Sequence, residues 1–402
     1  MMRSPRVLVT GMGVVSCIGI NAEENFRNLL AEKSGIEALE ILKTQHRGIL
    51  PAGEIKYTNE ELGKLAGVKN IKYFSRTTLL AFIAAQEAVK QSGIKNINEL
   101  RTGLVSASTV GGMDKSENFF PSWFKNDSNI HLSDILTHDC GDNTNRLAEF
   151  FGIHEYVSTI STACSSAANA IMLGARLIKN NHLDRVIVGG TDALTRFTLN
   201  GFNTLLILDK EKCTPFDENR RGLNLGEGAA YLVLESEHAA KGKKIYAQVS
   251  GYANANDAFH QTASSPDGKG AVLAMSKALV VAGLEPSDIS YINVHGTGTP
   301  NNDITEGTAL ENLFGTAIPA YSSTKAYTGH TLAACGAIEA IYSIHSINEG
   351  IIYPNLRFKD KIKVLKTQPI TSLLRNQNIN HVLSNSFGFG GNNTSLVFSK
   401  AY

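Results

Sequence analysis

The 402-residue sequence is poor in the features that mark secreted, membrane-spanning and nucleic-acid-binding proteins. Its five cysteines are scattered and never spaced as C-x-x-C, which argues against a disulfide framework and a zinc ribbon and favours a reducing cytoplasm. No uninterrupted apolar run reaches the ~18 residues that a membrane helix needs. The formal net charge of +1 provides no global field that would attract nucleic acid or an anionic membrane.

Metal-binding and nucleotide-binding motifs are equally scarce. His131, His138 and Cys140 lie close together, but no fourth ligand follows at a recognisable spacing, so polar loop residues are the better interpretation. Gly11 and Gly13 follow a first strand, as in a dinucleotide-binding turn, but the third glycine and the acidic residue of that motif are missing. These patterns favour neither a metal site nor a nucleotide site.

What the sequence does contain is a regular alternation of strand and helix patterns. Short β-branched runs bounded by glycine or polar residues predict strands, and apolar residues at helical spacing predict helices. Their alternation favours an α/β fold with largely parallel sheets covered on both faces. The predicted strands are 6–10, 103–108, 185–189, 229–235, 247–252, 291–294, 381–385 and 394–399, and the predicted helices are 24–33, 77–92, 165–180, 269–282, 305–314 and 332–349.

The order of these elements is similar in the two halves of the chain. Two similar lobes, 1–245 and 246–402, would explain the repeat, and chance similarity of α/β patterns explains it equally well. Residues 111–152 are the least regular stretch and are expected to form a cap insertion in the first lobe. The corresponding strands are those near Val7 and Val249, Leu104 and Ile292, Val186 and Val382, and Tyr231 and Leu396.

Cys164 is the strongest candidate for a chemical role. It lies in the small-residue run Ser161–Ala168, where the chain can turn tightly from a strand into a helix. The free amides and partial positive charge of a helix N-terminus favour a thiolate over a thiol. A cysteine that only packs as a small hydrophobe is the alternative, and the flanking serines and threonine make it the weaker one.

Three further segments carry candidate residues. His295 follows a predicted strand and precedes a glycine-threonine turn, where α/β proteins present functional side chains, although a histidine satisfied by the backbone fits as well. Lys325 and His330 precede an apolar helix on which Glu339 could pair with the lysine. The glycine-rich segment Ser386–Asn393 allows backbone N–H groups to approach a ligand, and it is also compatible with a hairpin turn.

The chain resembles the beta-ketoacyl-acyl-carrier-protein synthases of the elongating branch through the segments S-T-A-C-S-S, N-V-H-G-T-G-T-P, S-T-K-A-Y-T-G-H and N-S-F-G-F-G-G, in this order. The resemblance extends over nearly the whole chain. It implies a thiolase fold, in which two duplicated βαβαβαββ halves form a five-layered α/β/α/β/α sandwich. It also implies an acyltransferase that extends a fatty acid or a polyketide or polyene chain by decarboxylative Claisen condensation with malonyl-carrier protein.

The resemblance assigns a role to each candidate residue. Cys164 would hold the acyl group as a thioester, and His295 and His330 would stabilise the enolate left by decarboxylation. Lys325 would orient the region of His330, with Glu339 as its partner. The remaining assignments are the backbone N–H groups of Cys164 and Phe389 as an oxyanion hole, the Phe389 side chain as a gate, Thr297 and Thr299 as pantetheine contacts, and Val110 and Phe202 as lining of the acyl pocket.

The resemblance also implies partners. Acyl carrier protein would deliver substrates on phosphopantetheine, no metal or tightly held cofactor is implied, and a homodimer is expected, with a chain-length-factor-like subunit in a heterodimer as the alternative. Lys212, Arg220 and Arg221 are expected to contact the carrier protein. Cys335 departs from the family pattern, which has a small residue there. A non-catalytic chain-length-factor-like protein is the rival function, and the intact Cys164 argues against it.

Overall fold

The computed structural model describes residues 5–125, 132 and 135–401, and its strands repeat one arrangement twice. The strands are β1 (Val7–Ser16), β2 (Thr102–Ala107), β3 (Tyr156–Ile160), β4 (Arg185–Asp192), β5 (Gly228–Ser236), β6 (Ala247–Asn256), β7 (Tyr291–Asn293), β8 (Ala320–Ser322), β9 (His381–Gly388) and β10 (Asn392–Ser399). The first five lie in the order β3-β2-β4-β5-β1, and the last five lie in the equivalent order β8-β7-β9-β10-β6. A short antiparallel pairing of β1 with β6 joins these two five-stranded sheets into one ten-stranded sheet. In each sheet one strand, β5 or β10, runs opposite to the other four. The repeat expected from the sequence is therefore present in the structure.

Helices cover both sheets and fill the space between them. They are α1 (Ala22–Leu30), α2 (Asn59–Leu65), α3 (Arg76–Gln91), α4 (Met113–Phe124), α5 (Gly141–Phe151), α6 (Ser166–Lys179), α7 (Arg196–Thr204), α8 (Lys269–Ala282), α9 (Pro300–Phe314), α10 (Lys325–Thr328) and α11 (Cys335–Glu349). Helices α6 and α11 contact each other and strands of both sheets, so they form the middle layer. Helices α3 and α5 cover the first sheet, and α8 and α9 cover the second. The result is the five-layered sandwich of a thiolase fold.

The layers explain why α11 has almost no exposed face. Every residue of β1 is buried, and α11 is buried along almost its whole length because it has a sheet on either side. Close packing also explains the two early glycines. A Cβ at Gly11 would lie 2.2 Å from the carbonyl oxygen of Ala88 on α3, and one at Gly13 would lie 2.1 Å from that of Ala84. Both glycines therefore serve strand–helix contact, in agreement with the absence of a complete nucleotide motif.

The irregular stretch 111–152, for which a cap insertion is expected, contains two helices among its described residues. These are α4 and α5, and α5 packs against α3, β2 and β3 as part of the outer layer. Its polar, glycine-containing sequence hides the helical pattern. Residues 126–131 and 133–134, which include His131, lie outside the described residues. Within the described ranges, no helix is both long and apolar enough to cross a membrane.

Candidate active site

Cys164 lies in a tight turn between β3 and α6. Ala163 has φ +52°, a left-handed conformation that is uncommon for a residue other than glycine and marks a constrained turn. The Ser165 hydroxyl donates to the carbonyl of Thr162 at 2.7 Å and is also 2.7 Å from Asn392 Oδ1 on β10. These bonds attach the turn to the second half of the protein, and they fix the direction of the cysteine side chain.

Two backbone amides, those of Phe389 and of Cys164 itself, interact with the Cys164 thiol and lower its pKa. They are the two donors expected from the sequence for an oxyanion hole. Gly388 makes this approach achievable, because a Cβ there would lie 3.1 Å from the Cys164 nitrogen and 3.1 Å from the Thr162 carbonyl oxygen. A glycine before Phe389 thus allows the two chain segments to meet.

The resting state of the Cys164 thiol differs from the expectation of a helix-stabilised thiolate. Burial raises the pKa of this thiol to about 11, against the opposing effects of the Lys325 charge and the two amides. Desolvation therefore outweighs the positive end of α6. The sulfur is protonated at neutral pH, and it needs a base at the moment of attack.

His295 is fixed by its backbone and by one ring nitrogen. Its N–H and that of Gly296 donate to the two carboxylate oxygens of Glu306 at 2.9 and 2.8 Å. Lys325 Nζ lies 3.2 Å from His295 Nδ1. Because an ammonium group can only donate, Nδ1 accepts and the ring proton resides on Nε2.

His330 lies beside His295, with the two ring centroids 5.3 Å apart and the rings nearly perpendicular. Its backbone N–H donates to the Asn224 carbonyl at 2.8 Å, which attaches α10 to the loop before β5. Burial, followed by the Lys325 charge, holds the pKa of both imidazoles well below the usual value. Both rings are therefore neutral donors at physiological pH.

Lys325 is 1% exposed, and its ammonium group bonds to Glu339 on α11 as well as to His295. Burial is the largest single effect and would lower the pKa of this lysine, but the charge and hydrogen bond of Glu339 together with the effects of Cys335 and Glu306 outweigh it, so the pKa is raised. The partnership with Glu339 agrees with the sequence expectation. The structure adds a contact of the ammonium group with His295, which is distant in sequence but adjacent in space, whereas the expected role toward the region of His330 stays a prediction.

One group of metal-ligand types occurs among the described residues: His295, Cys335 and Glu339, whose ligand atoms lie within 4.8 Å of one another. The Lys325 ammonium already binds two of these three residues. A positive charge therefore occupies this place, and the donor set does not fit an additional resident metal ion.

A cavity of about 380 Å³ opens in front of the sulfur. Of the predicted residues, it is lined by Cys164, His295, His330, Thr297, Thr299, Phe202 and Phe389. The rings of Phe202 and Phe389 are stacked with centroids 5.7 Å apart and form one apolar wall. Val110 does not line this cavity. It belongs to the buried apolar cluster behind Phe202, which also includes Leu199 and Leu223.

The structure adds residues that sequence reasoning missed. Glu306 is fully buried on α9 and holds the loop that carries His295, while Asp303, one turn earlier, accepts N–H groups of Phe216 and Gly298. The sequence signal that could have identified these two residues is their three-residue spacing on a helix directly after a glycine-threonine turn.

The prediction that Arg220 contacts the carrier protein is wrong. Arg220 is 7% exposed and donates to the backbone carbonyls of Asp217, Thr299 and Pro300.

Glu306 gives a pH-dependent stability prediction. Burial raises the pKa of Glu306 from 4.5 to about 7, so the fold favours its protonated form. This stabilisation is complete below pH 4.5 and is lost as the pH rises through about 7. Compared with Glu306→Gln, the wild type should lose up to about 3 kcal/mol of unfolding free energy across this range, since one pKa unit corresponds to about 1.4 kcal/mol. Urea unfolding at both ends of the range measures it, and a pH-independent difference would contradict it.

Two sequence-family models match the chain. "Beta-ketoacyl synthase, N-terminal domain" matches residues 4–240, and "Beta-ketoacyl synthase, C-terminal domain" matches residues 246–359. Among curated proteins, 3-oxoacyl-[acyl-carrier-protein] synthase 2 of Staphylococcus aureus (strain COL) is 34% identical over 416 residues, which cover 100% of this chain and 99% of that protein.

Solved structures resemble the whole chain. "The ishigamide ketosynthase/chain length factor" superimposes with a TM-score of 0.94 and 28% identity, covering 99% of this chain and 100% of that one. "AntDE:AntF (apo): type II PKS acyl-carrier protein in complex with its ketosynthase bound to the hexaketide" superimposes with a TM-score of 0.90 and 26% identity, again over 99% of this chain and 100% of that one.

Proposed function

Because the chain belongs to the beta-ketoacyl synthase family, we propose that it extends an acyl chain by decarboxylative condensation with malonyl-carrier protein, with the acyl group held on Cys164. One observation carries this assignment of residues: Cys164, His295 and His330 line a single cavity. The substrates arrive on the phosphopantetheine arm of a carrier protein. The reaction therefore needs no cofactor bound by the chain itself.

The first step transfers the acyl group to the enzyme. Cys164 attacks the thioester carbonyl, and its proton passes through a neutral imidazole to the departing pantetheine thiol. This relay is needed because the pKa of the Cys164 thiol is about 11. The carbonyl oxygen becomes an oxyanion in the tetrahedral intermediate, and the N–H groups of Cys164 and Phe389 stabilise it.

The second step forms the nucleophile. The malonyl group loses carbon dioxide, and the electron pair of the broken carbon–carbon bond becomes an enolate. His295 donates from Nε2, because its Nδ1 accepts from Lys325, and His330 provides the second donor. A neutral imidazole can hydrogen-bond the enolate oxygen without protonating its carbon, which keeps the carbanion available.

The third step joins the two chains. The enolate carbon attacks the Cys164 thioester, and the same two backbone N–H groups stabilise the resulting oxyanion. Collapse of this intermediate breaks the carbon–sulfur bond and leaves a beta-ketoacyl group on the carrier protein, and the Cys164 thiolate that departs takes up a proton from water to become a thiol again. Thr297 and Thr299, whose hydroxyls lie 2.9 Å apart at the cavity wall, would hold the amide groups of the pantetheine arm. Phe389 would gate the passage toward Phe202 and Val110.

The side chains at the mouth of the cavity suit an anionic ligand that is attached to a carrier protein. The Arg221 side chain is 57% exposed at this mouth and is held by Asp209 and Glu211 at 3.0 Å each. Leu206, 86% exposed, lines the same rim. Phosphopantetheine is attached through a phosphodiester, for which a guanidinium group is a suitable partner. We therefore assign Arg221 to carrier recognition, whereas Lys212 remains a weaker candidate nearby.

Arg221→Glu is expected to raise the KM for acyl-carrier protein by about tenfold at low salt with little change in kcat, because a rim charge acts on encounter more than on chemistry. Lys90→Glu is the matched control, since Lys90 is an exposed lysine at the far end of α3. Steady-state kinetics with carrier-bound substrate measures the effect. A KM unchanged by Arg221→Glu, or equally raised by the control, would remove Arg221 from this role.

We propose that a second copy of the chain pairs at the edge strand β3. This strand ends the first sheet, and Val157 on it is 38% exposed. Helix α4 also presents exposed aromatic side chains, Trp123 and Phe124, which are 51% and 79% exposed. Sedimentation of the purified chain should give the mass of two copies. A one-chain mass that doubles only when a chain-length-factor-like protein is added would establish the heterodimer instead.

A reducing compartment such as the cytoplasm suits the chemistry. All five cysteines are free, and the proposed nucleophile must stay reduced to react. Recovery of the native protein from an oxidising compartment or the culture medium would contradict this assignment.

The function is tested with purified carrier proteins loaded with acyl groups of defined length and with malonyl-carrier protein. Release of carbon dioxide together with a product two carbons longer supports the proposal. The range of accepted lengths distinguishes fatty-acid elongation from polyketide or polyene elongation. If Cys164 stays unmodified and no carbon dioxide is released, with or without partner subunits, the chain is the non-catalytic alternative.

A further inference from the structure

A second thiol lies directly beside the proposed nucleophile. Cys335 is the first residue of α11 and is 2% exposed. Its Sγ lies 3.1 Å from the carbonyl oxygen of Cys164. The sequence places this cysteine where the resembling family has a small residue without a thiol. The chain therefore has a reactive group at the site that the condensation mechanism does not use.

Close backbone packing brings together the two chain segments that carry the thiols. A Cβ on Gly336 would lie 2.9 Å from the nitrogen of Ala168 and 3.0 Å from its Cβ, so the first turns of α11 and α6 are in direct contact. Cys164 precedes one of these turns and Cys335 begins the other. Both sulfurs therefore lie near helix N-termini, whose partial positive charge opposes the burial that keeps the two thiols protonated.

The same charged side chain acts on both thiols. Lys325 lowers the pKa of each thiol, although burial dominates and raises both. The Cys335 sulfur lies within 4.8 Å of ligand atoms of His295 and Glu339, beside the lysine that both of them bind. The positive charge of Lys325 therefore stabilises the thiolate form of either cysteine, once its proton has been lost.

We propose that Cys335 is a resolving cysteine, which captures an oxidised Cys164 as an intramolecular disulfide and so protects the nucleophile from irreversible oxidation by peroxide. In the first step, the Cys164 thiolate attacks hydrogen peroxide, forming a sulfur–oxygen bond and releasing hydroxide. In the second, the Cys335 thiolate attacks the Cys164 sulfenic sulfur and displaces hydroxide, which takes up the proton lost by Cys335 and leaves as water. Peroxide is reduced by two electrons, and the two thiols are oxidised to one disulfide.

The cavity provides the route for this chemistry. It reaches Cys164 and is open to molecules much smaller than a pantetheine arm, whereas Cys335 is not among the residues that line it. Peroxide therefore meets the nucleophile first, and Cys335 acts only from behind it. The disulfide blocks acyl transfer to Cys164, and an external thiol restores both sulfurs by exchange. The consequence for activity rests on the proposed function, whereas formation of the cross-link does not.

The experiment treats the reduced full-length protein with hydrogen peroxide and then analyses it by intact-mass and peptide mass spectrometry, before and after dithiothreitol. The wild type should become about 2 Da lighter, yield one peptide that joins Cys164 to Cys335, and regain its starting activity on reduction. Cys335→Ser should instead gain about 32 Da at Cys164, the mass of two oxygen atoms, and stay inactive after reduction. Each variant's recovery is expressed relative to its own untreated activity.

Cys213→Ala is the matched control, because Cys213 is also buried and its Sγ lies 3.8 Å from a carbonyl oxygen of the same site, that of Lys325. It should behave like the wild type. The proposal is overturned if the oxidised wild type contains no 164–335 peptide, or if Cys335→Ser recovers after reduction as fully as the wild type does. A cross-link in a protein without condensing activity would support the resolving thiol while rejecting the proposed function.

Discussion

Replacement of Cys164 by alanine is expected to lower condensation by about 10³-fold or more, because no other side chain in the cavity can hold the acyl group as a thioester. The remaining donors cannot compensate, since they stabilise an oxyanion that no longer forms on the enzyme. The measurement is formation of beta-ketoacyl-carrier protein from acyl- and malonyl-carrier proteins. Cys213→Ala serves as the control, because it removes another buried thiol without touching the cavity.

Cys164→Gln separates the two halves of the reaction. Its side-chain carbonyl can occupy the position of the bound acyl group against the N–H groups of Cys164 and Phe389, while His295 and His330 remain intact. We expect malonyl decarboxylation to continue in this variant while condensation is lost. Condensation by the alanine variant at the wild-type rate would reject the thioester mechanism altogether.

His295→Ala and His330→Ala are each expected to slow malonyl decarboxylation by about 10²- to 10³-fold, the usual effect of removing one donor from a developing oxyanion. The effect should appear in kcat, because the hydrogen bond strengthens as the enolate forms. Release of labelled carbon dioxide measures it. His182→Ala, an exposed histidine outside the cavity, should leave the rate unchanged. Wild-type decarboxylation by both variants would exclude the two imidazoles as donors.

The same two residues predict a simple pH profile. Burial, and then Lys325, hold both imidazole pKa values well below the usual 6.5, so both rings stay neutral through that pH. The decarboxylation rate should therefore show no inflection near 6.5, and it should fall only at lower pH, where protonated rings would appear. An inflection at the ordinary histidine pKa would mean that the rings are solvated and titrate freely.

The sequence patterns predicted most of the strands of the fold, but they missed two short edge strands. Tyr156–Ile160 lies at the end of the first sheet and mixes polar with apolar residues, and Ala320–Ser322 has only three residues. Neither is long or apolar enough to produce a clear period-two pattern. Helix α4 was missed for another reason, since Pro121 and several exposed aromatics disguise its spacing.

The sequence predicted the site residues whose positions depend on local turns. Cys164, His295 and His330 each follow or precede a small-residue turn, and the structure brings all three to one cavity. Contacts between residues that are far apart in the sequence could not be predicted in this way. The pairing of Lys325 with His295 depends on how β7 and α10 meet in space, and the desolvation that keeps Cys164 protonated depends on burial that no single motif reveals.

The matching strand orders of the two sheets have an evolutionary consequence. The helix that follows Cys164 and the helix that follows His330 occupy equivalent places in the two repeats, yet one repeat supplies the sulfur and the other supplies both imidazoles. Neither repeat could perform this reaction by itself. The repeated strand order is typical of a duplicated ancestral unit, and the proposed reaction needs both units in one chain, because each lines only part of the cavity.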